Sequence, residues 1–186
     1  MKITPTAIPD VLIIELEVFE DSRGFFYESF NQKLFNKATG LGVSFVQDNH
    51  SRSFKGVLRG LHYQIHQPQG KLVRLVCGAV FAVAVDLRKS SVSFSRWVGV
   101  ELSQDDRKQL WIPPEFAYGF IVLSESADLL YKITTYYNPT VERTIRWNDP
   151  DIGVNWQIGK FADQFTPHLS ARDQIGTNFS EADYFD

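Results

Sequence analysis

From residue 43 to residue 147 the chain is a succession of short β-prone segments broken by turn residues, with no rhythm of strand, long helix and strand. Residues 43–53, 57–65, 71–77, 79–87, 96–102, 109–112, 119–123, 129–137 and 143–147 alternate or are rich in β-branched and aromatic residues, and read as strands. Spacing this tight leaves no room for the crossover helices of a parallel sheet. The expected fold is therefore all-β and mainly antiparallel, a jelly-roll barrel or sandwich with a few short helices. Pro113-Pro114 forces an extended turn inside this run. Upstream, residues 11–19 and 25–30 flank the turn Asp21-Ser22-Arg23-Gly24 and suggest an opening hairpin. Asn31 is placed to cap a short helix with Leu34, Phe35 and Ala38 on one face, stopped by Gly40 and Gly42. After Asp149-Pro150 the chain turns loop-rich, with a helical turn expected at 169–173.

With 186 residues and 44% hydrophobic content the chain suits one domain, residues 1–186. No linker or low-complexity segment divides it. A net charge of −3 with acids and bases interspersed offers neither a basic face for nucleic acid nor a polybasic segment for a membrane surface. Cys77 is the only cysteine, so no intrachain disulfide forms, and its apolar surroundings in sequence predict a buried, inert thiol. The N-terminal residues 1–19 are interrupted by Glu15 and Glu17, unlike a signal peptide or a membrane span. A cytoplasmic protein is expected.

Residues 56–76, GVLRGLHYQIHQPQGKLVRLV, place Arg59, His62, His66, Lys71 and Arg74 in two strand-like segments. Core strands are normally apolar or alternating, so this density of basic and titratable side chains predicts a polar pocket lined by sheet. If Gly60, His62 and Gln64 share a face, strict alternation turns Arg59 to the other one. A bulge at Gly60 would bring Arg59 and His62 to the same lumen. A single histidine is otherwise most simply a structural or surface residue.

Metal binding is one alternative for His62 and His66. Four residues along a strand separate them by about 13 Å, too far to ligate one ion without a bend. After Pro113-Pro114 the chain offers Tyr118 where a second ligand histidine of a metal-binding cupin would stand, so no metal is expected. Tyr131 and Tyr137 have the same parity in the 129–137 segment and would lie about 20 Å apart on one face, room for an extended ligand. Two core tyrosines would give the same pattern.

Six segments resemble, in register, the dTDP-4-dehydrorhamnose 3,5-epimerase family: DSRGFFYESF (21–30), GVLRGLHYQ (56–64), QGKLVRLVCGAVFAVAVDLR (69–88), QLWIPPEFAYGF (109–120), TTYYNP (134–139) and LSARD (169–173). The resemblance implies a cupin-like jelly roll, a homodimer with exchanged N-terminal strands, and inversion at C3 and C5 of dTDP-4-dehydro-6-deoxy-D-glucose. The C4 ketone makes both C–H bonds α to a carbonyl, so enolates form without a cofactor. By the same resemblance His62 is the base, Asp173 its dyad partner, Tyr131 the acid on the opposite face, and Lys71 the cation beside the enolate oxygen. Arg59 and Arg23 suit the pyrophosphate. Tyr137 corresponds to the residue that stacks on thymine, and Glu28, Gln47, Asn49, Glu142 and Ser51 to nucleotide or sugar contacts. Arg23 and Glu28 would be lent across the dimer. His66 and Arg74 become structural or surface residues.

The chain departs from the family at two positions. Tyr118 replaces a common His, keeping a donor for phosphate, and Ala82 replaces a common Asp, with Asp86 the only nearby carboxylate on that strand segment. An epimerase acting on one carbon of a related dTDP-4-keto sugar, and a non-catalytic nucleotide-sugar-binding module, are the alternatives.

Overall fold

The computed structural model describes residues 1–161 and 165–186. Two antiparallel sheets face each other. The larger runs β1 (Lys2–Pro5), β2 (Leu12–Glu15), β10 (Gln109–Ile112), β7 (Lys71–Cys77), β12 (Ser126–Ile133) and β5 (Gln47–Phe54) in spatial order. The smaller runs β13 (Glu142–Thr144), β6 (Leu58–Gln64), β11 (Phe116–Val122), β8 (Ala79–Asp86) and β9 (Trp97–Ser103). A separate hairpin pairs β3 (Phe19–Asp21) with β4 (Gly24–Phe26).

Alternation sorts the strands' side chains into layers. Val80, Ala82 and Ala84 of β8 and Phe116, Tyr118, Phe120 and Val122 of β11 meet Val73, Leu75 and Leu129 between the sheets. On the far face of the smaller sheet, Phe81, Val83, Val85 and Ile121 are covered by the chain's last third, including Trp156 and Phe179. Against the outer face of the larger sheet, helix α1 (Gln32–Thr39) lays Phe35 on Trp111, Leu72 and Ile14.

Helix α1 has the expected ends. Asn31 Oδ1 accepts the Leu34 N–H at 3.1 Å, and Gly40 closes the helix at φ 73°. Its expected apolar face is narrower than Leu34, Phe35 and Ala38 together, because only Phe35 is buried. β1 precedes the first strand range expected, and residues 11–19 divide into β2 and the start of the β3–β4 hairpin. The strand after Pro113-Pro114 begins at Phe116, three residues before the expected one.

Two expectations fail outright. Cys77 is exposed, not buried, because β7 runs out of the core at its last two residues, where its pairing with β12 shifts register at Asp128. The 129–137 segment is not one strand: β12 ends at Ile133, and Tyr137 rides on the loop beyond it.

Candidate active site

β6 carries the bulge expected at Gly60. Tyr118 of β11 pairs with His62 and Phe120 with Arg59, so two steps along β11 match three along β6. Cross-strand partners share a face. Tyr118 and Phe120 both point between the sheets, and their partners Arg59 and His62 therefore do too. Gly60 sits at φ 130°, a conformation that glycine adopts without penalty, and a Cβ there would lie 2.6 Å from the Gly119 Cα.

The larger sheet forms the facing wall by plain alternation. On β5, Gln47, Asn49, Ser51 and Ser53 turn inward while Asp48, His50, Arg52 and Phe54 turn out. In register beside them, Ile133, Tyr131 and Leu129 of β12 meet Lys71, Val73 and Leu75 of β7. Between the walls lies a cavity of about 320 Å³ lined by Gln47, Asn49, Ser51, Arg59, His62, Lys71, Tyr118, Tyr131, Tyr137 and Glu142. Eleven side chains singled out from the sequence thus meet at one place: these ten, with Asp173 behind His62.

His62 is held from behind. Asp173 Oδ1 lies 2.6 Å from its Nε2, and Asp173 also accepts Ser170 Oγ at 2.6 Å and the Gly60 N–H at 3.2 Å. Burial is the largest influence on this carboxyl and pushes it up, but the hydrogen bonds from His62, Ser170 and Gly60 together outweigh it and hold it at about 2. Asp173 is thus an anion with only acceptor sites, so Nε2 of His62 carries the proton and Nδ1 is the basic nitrogen. Ser170 caps the short helix α2 (Ala171–Gln174), which delivers Asp173.

On the opposite wall the Tyr131 phenol is half-buried, and burial raises its pKa, keeping it protonated. Lys71 is 7% exposed and forms no ion pair among the described residues. Burial lowers its pKa to about 8, against a smaller upward pull from Glu142. Tyr118 is as deeply placed, and its hydroxyl has no hydrogen-bond partner among the described residues. Arg59 is fixed through Nε to Ser53 Oγ at 3.0 Å, leaving its terminal nitrogens for a ligand. At the mouth, Glu142 accepts the Tyr137 hydroxyl at 2.7 Å and pairs with Arg172.

Arg23 and Glu28 are the two expected residues that stand elsewhere. Arg23 is on the exposed β3–β4 hairpin, paired with Asp21, and Glu28 accepts a hydrogen bond from Asn31. Asp86 does not replace a carboxylate at Ala82: it lies at the end of β8, outside the cavity lining, and is bound by Arg88, Ser91 and Ser93. His66 is exposed, and Arg74 reaches Tyr27 on the outer side of the larger sheet. Among the described residues no three His, Cys, Asp or Glu side chains gather into a metal-ligand set. Sequence reasoning missed Arg172, Gln69 and Phe120 in the lining. Arg172 was within reach, being the neighbour of Asp173 in LSARD.

The chain matches, over residues 5–181, the family described as dTDP-4-dehydrorhamnose 3,5-epimerase. A protein of that name from Pseudomonas aeruginosa is 56% identical over 185 residues, covering 100% of this chain and 99% of the relative. Among solved structures, the dTDP-6-deoxy-D-glucose-3,5-epimerase of Legionella pneumophila in complex with dTDP-4-keto-L-rhamnose superposes with a TM-score of 0.92 at 47% identity, covering 98% of this chain and 94% of that one. A 3'-monoepimerase from Streptomyces bikiniensis in complex with dTDP-quinovose is more distant, with a TM-score of 0.84 at 30% identity and coverages of 95% and 87%.

Proposed function

This chain belongs to the dTDP-4-dehydrorhamnose 3,5-epimerase family, and we propose that it converts dTDP-4-dehydro-6-deoxy-D-glucose into dTDP-4-dehydro-L-rhamnose by inverting C3 and C5 in turn. The observation that carries the mechanism is that His62 and Tyr131 grow from opposite sheets into one cavity. Inversion needs a proton taken from one face of a carbon and returned to the other.

Nδ1 of His62 takes the proton α to the C4 ketone, leaving an imidazolium beside the Asp173 carboxylate and an enolate on the sugar. The Lys71 ammonium stabilises the enolate oxygen more than the neutral ketone it replaces. Tyr131 delivers its hydroxyl proton to the opposite face of the same carbon. Tyrosinate regains a proton from solvent and the imidazolium releases one, so each inversion exchanges one carbon-bound hydrogen for a solvent hydrogen. The ketone supplies the acidity, and no cofactor enters.

Arg59 and Arg172 take the diphosphate, with Tyr118 as a donor. Tyr137 stacks on the nucleotide base, and Gln47, Asn49, Ser51 and Glu142 complete the contacts. Arg23 and Glu28 reach the site of a second subunit in a homodimer with exchanged N-terminal strands. Residues 1–186 act as one domain, in the cytoplasm.

Incubation with the 4-keto substrate in D2O, followed by NMR, tests the reading. Deuterium is expected at both C3 and C5, and His62→Ala should abolish entry at both. Deuterium at one carbon alone would make the protein a monoepimerase, and none at either would leave a nucleotide-sugar-binding module.

A further inference from the structure

We infer that Gln64 is the positioning residue that fixes Tyr137 over the cavity and ties that end of the site to the strand carrying His62. The inference rests on the assignment of Tyr137 to the nucleotide base.

The ladder between β12 and both its neighbours stops at Ile133. From Thr134 to Asn138 the backbone polar groups must therefore find other partners. Glutamine side chains supply most of them. Gln69 donates to the Thr135 carbonyl at 2.8 Å, and Gln47 accepts the Tyr137 N–H at 3.1 Å. Gln64 brackets Tyr137 from both sides: its Nε2 donates to the Tyr136 carbonyl at 3.4 Å, and its Oε1 accepts the Asn138 N–H at 2.7 Å. A second bond from Nε2 to the Gln67 carbonyl, at 3.0 Å, fixes the amide itself.

Gln64 is 2% exposed, whereas Tyr137 is 48% exposed. A buried amide that both donates and accepts thus holds an aromatic side chain that has little packing of its own. Neither a carboxylate nor an apolar side chain can do both. In register, Gln64 faces Glu142, and Glu142 accepts the Tyr137 hydroxyl. One cross-strand pair thus grips Tyr137 by its backbone and by its phenol. Because Gln64 lies two residues beyond His62, the ring is placed relative to the base by a single strand. A ring fixed before the ligand arrives loses less freedom on binding, which favours affinity and leaves the chemical step alone.

The test measures KM and kcat with the 4-keto substrate, and Kd for dTDP by calorimetry, for Gln64→Met in the wild-type and Tyr137→Ala backgrounds, with thermal melting as the folding control. KM and Kd are expected to rise about tenfold with kcat within about twofold of wild type, and Gln64→Met should add nothing once Tyr137 is Ala. A fall in kcat with KM unchanged would overturn the inference, as would an equal loss of dTDP affinity in both backgrounds. If Gln64→Met does not fold, Gln64→Glu keeps the acceptor for Asn138 and should give the same KM-only pattern, smaller in size. Any other pattern for it also overturns the inference. Unchanged dTDP affinity in Tyr137→Ala would instead overturn the assignment of Tyr137, and this inference with it.

Discussion

In the proposed reaction, Lys71 links burial to catalysis. Its pKa lies well below the ordinary 10.5, at about 8, because the cavity withholds solvent from the ammonium. The proton needed beside an enolate is therefore lost just above neutrality, and kcat/KM should fall as pH rises through about 8. Lys71→Arg should move that limb upward, since guanidinium stays charged; an unmoved limb would assign it to another group. Stability follows the same proton with a definite sign. Between about 8 and 10.5 the unfolded chain holds more protons at this position, so wild-type stability rises with pH across that window relative to Lys71→Met. At pH 7, urea titration should find Lys71→Met more stable by up to ~3 kcal/mol. On the facing side, Tyr131→Phe should slow the return of a proton more than its removal, so the ratio of exchange to inversion rises. Equal slowing of both would make Tyr131 structural. Ala82 also finds its reason at this scale. It is fully buried in the layer that holds Tyr118, one strand away, where Phe120 is its direct partner. A carboxylate there would lie among apolar side chains, beside a phenol whose raised pKa already reports the cost of charge.

At the scale of the element, the bulge in β6 decides whether there is a site at all. Gly60→Ala would put a Cβ against the backbone of β11, 2.6 Å from the Gly119 Cα and 2.9 Å from the Tyr118 carbonyl, at a φ that L side chains rarely adopt. A loss of about 1–3 kcal/mol in denaturant unfolding is expected, together with loss of C–H exchange as Arg59 and His62 lose their shared face. A stable, active Gly60→Ala protein would remove the bulge from the account. The bulge was legible because a glycine interrupts an alternation that only makes sense if broken. β7 and β10 were legible to the residue, since turn residues end both apolar runs. The end of β12 was not: Thr134 to Tyr137 have strand-forming side chains, and the ladder stops because both neighbouring strands begin opposite Ile133, β5 at Gln47 and β7 at Lys71, a tertiary cause. Cys77 was misjudged for a similar reason, because a strand's exit from the core depends on its neighbours and leaves no mark on its own sequence. The dyad of His62 and Asp173 spans 111 positions of sequence and was reached only through the family resemblance.

Across the whole molecule, the β3–β4 hairpin carries Phe19, Phe25 and Phe26 into solvent along with Arg23, and in the proposed homodimer this arm completes a second subunit's site. If so, mixing Arg23→Ala with His62→Ala subunits should restore activity that neither has alone. Half the dimers would be hybrids with one intact site of two, giving about a quarter of wild-type activity after random exchange. No recovery would place Arg23 outside the reaction. The two sheets have a more general consequence. A sugar ring lying between them presents one side to each, so which sheet a proton donor grows from determines the handedness of the product. Moving the phenol to the strand beside His62 would leave deuterium entering the sugar but returning to the side it left. The label would be gained and the configuration kept.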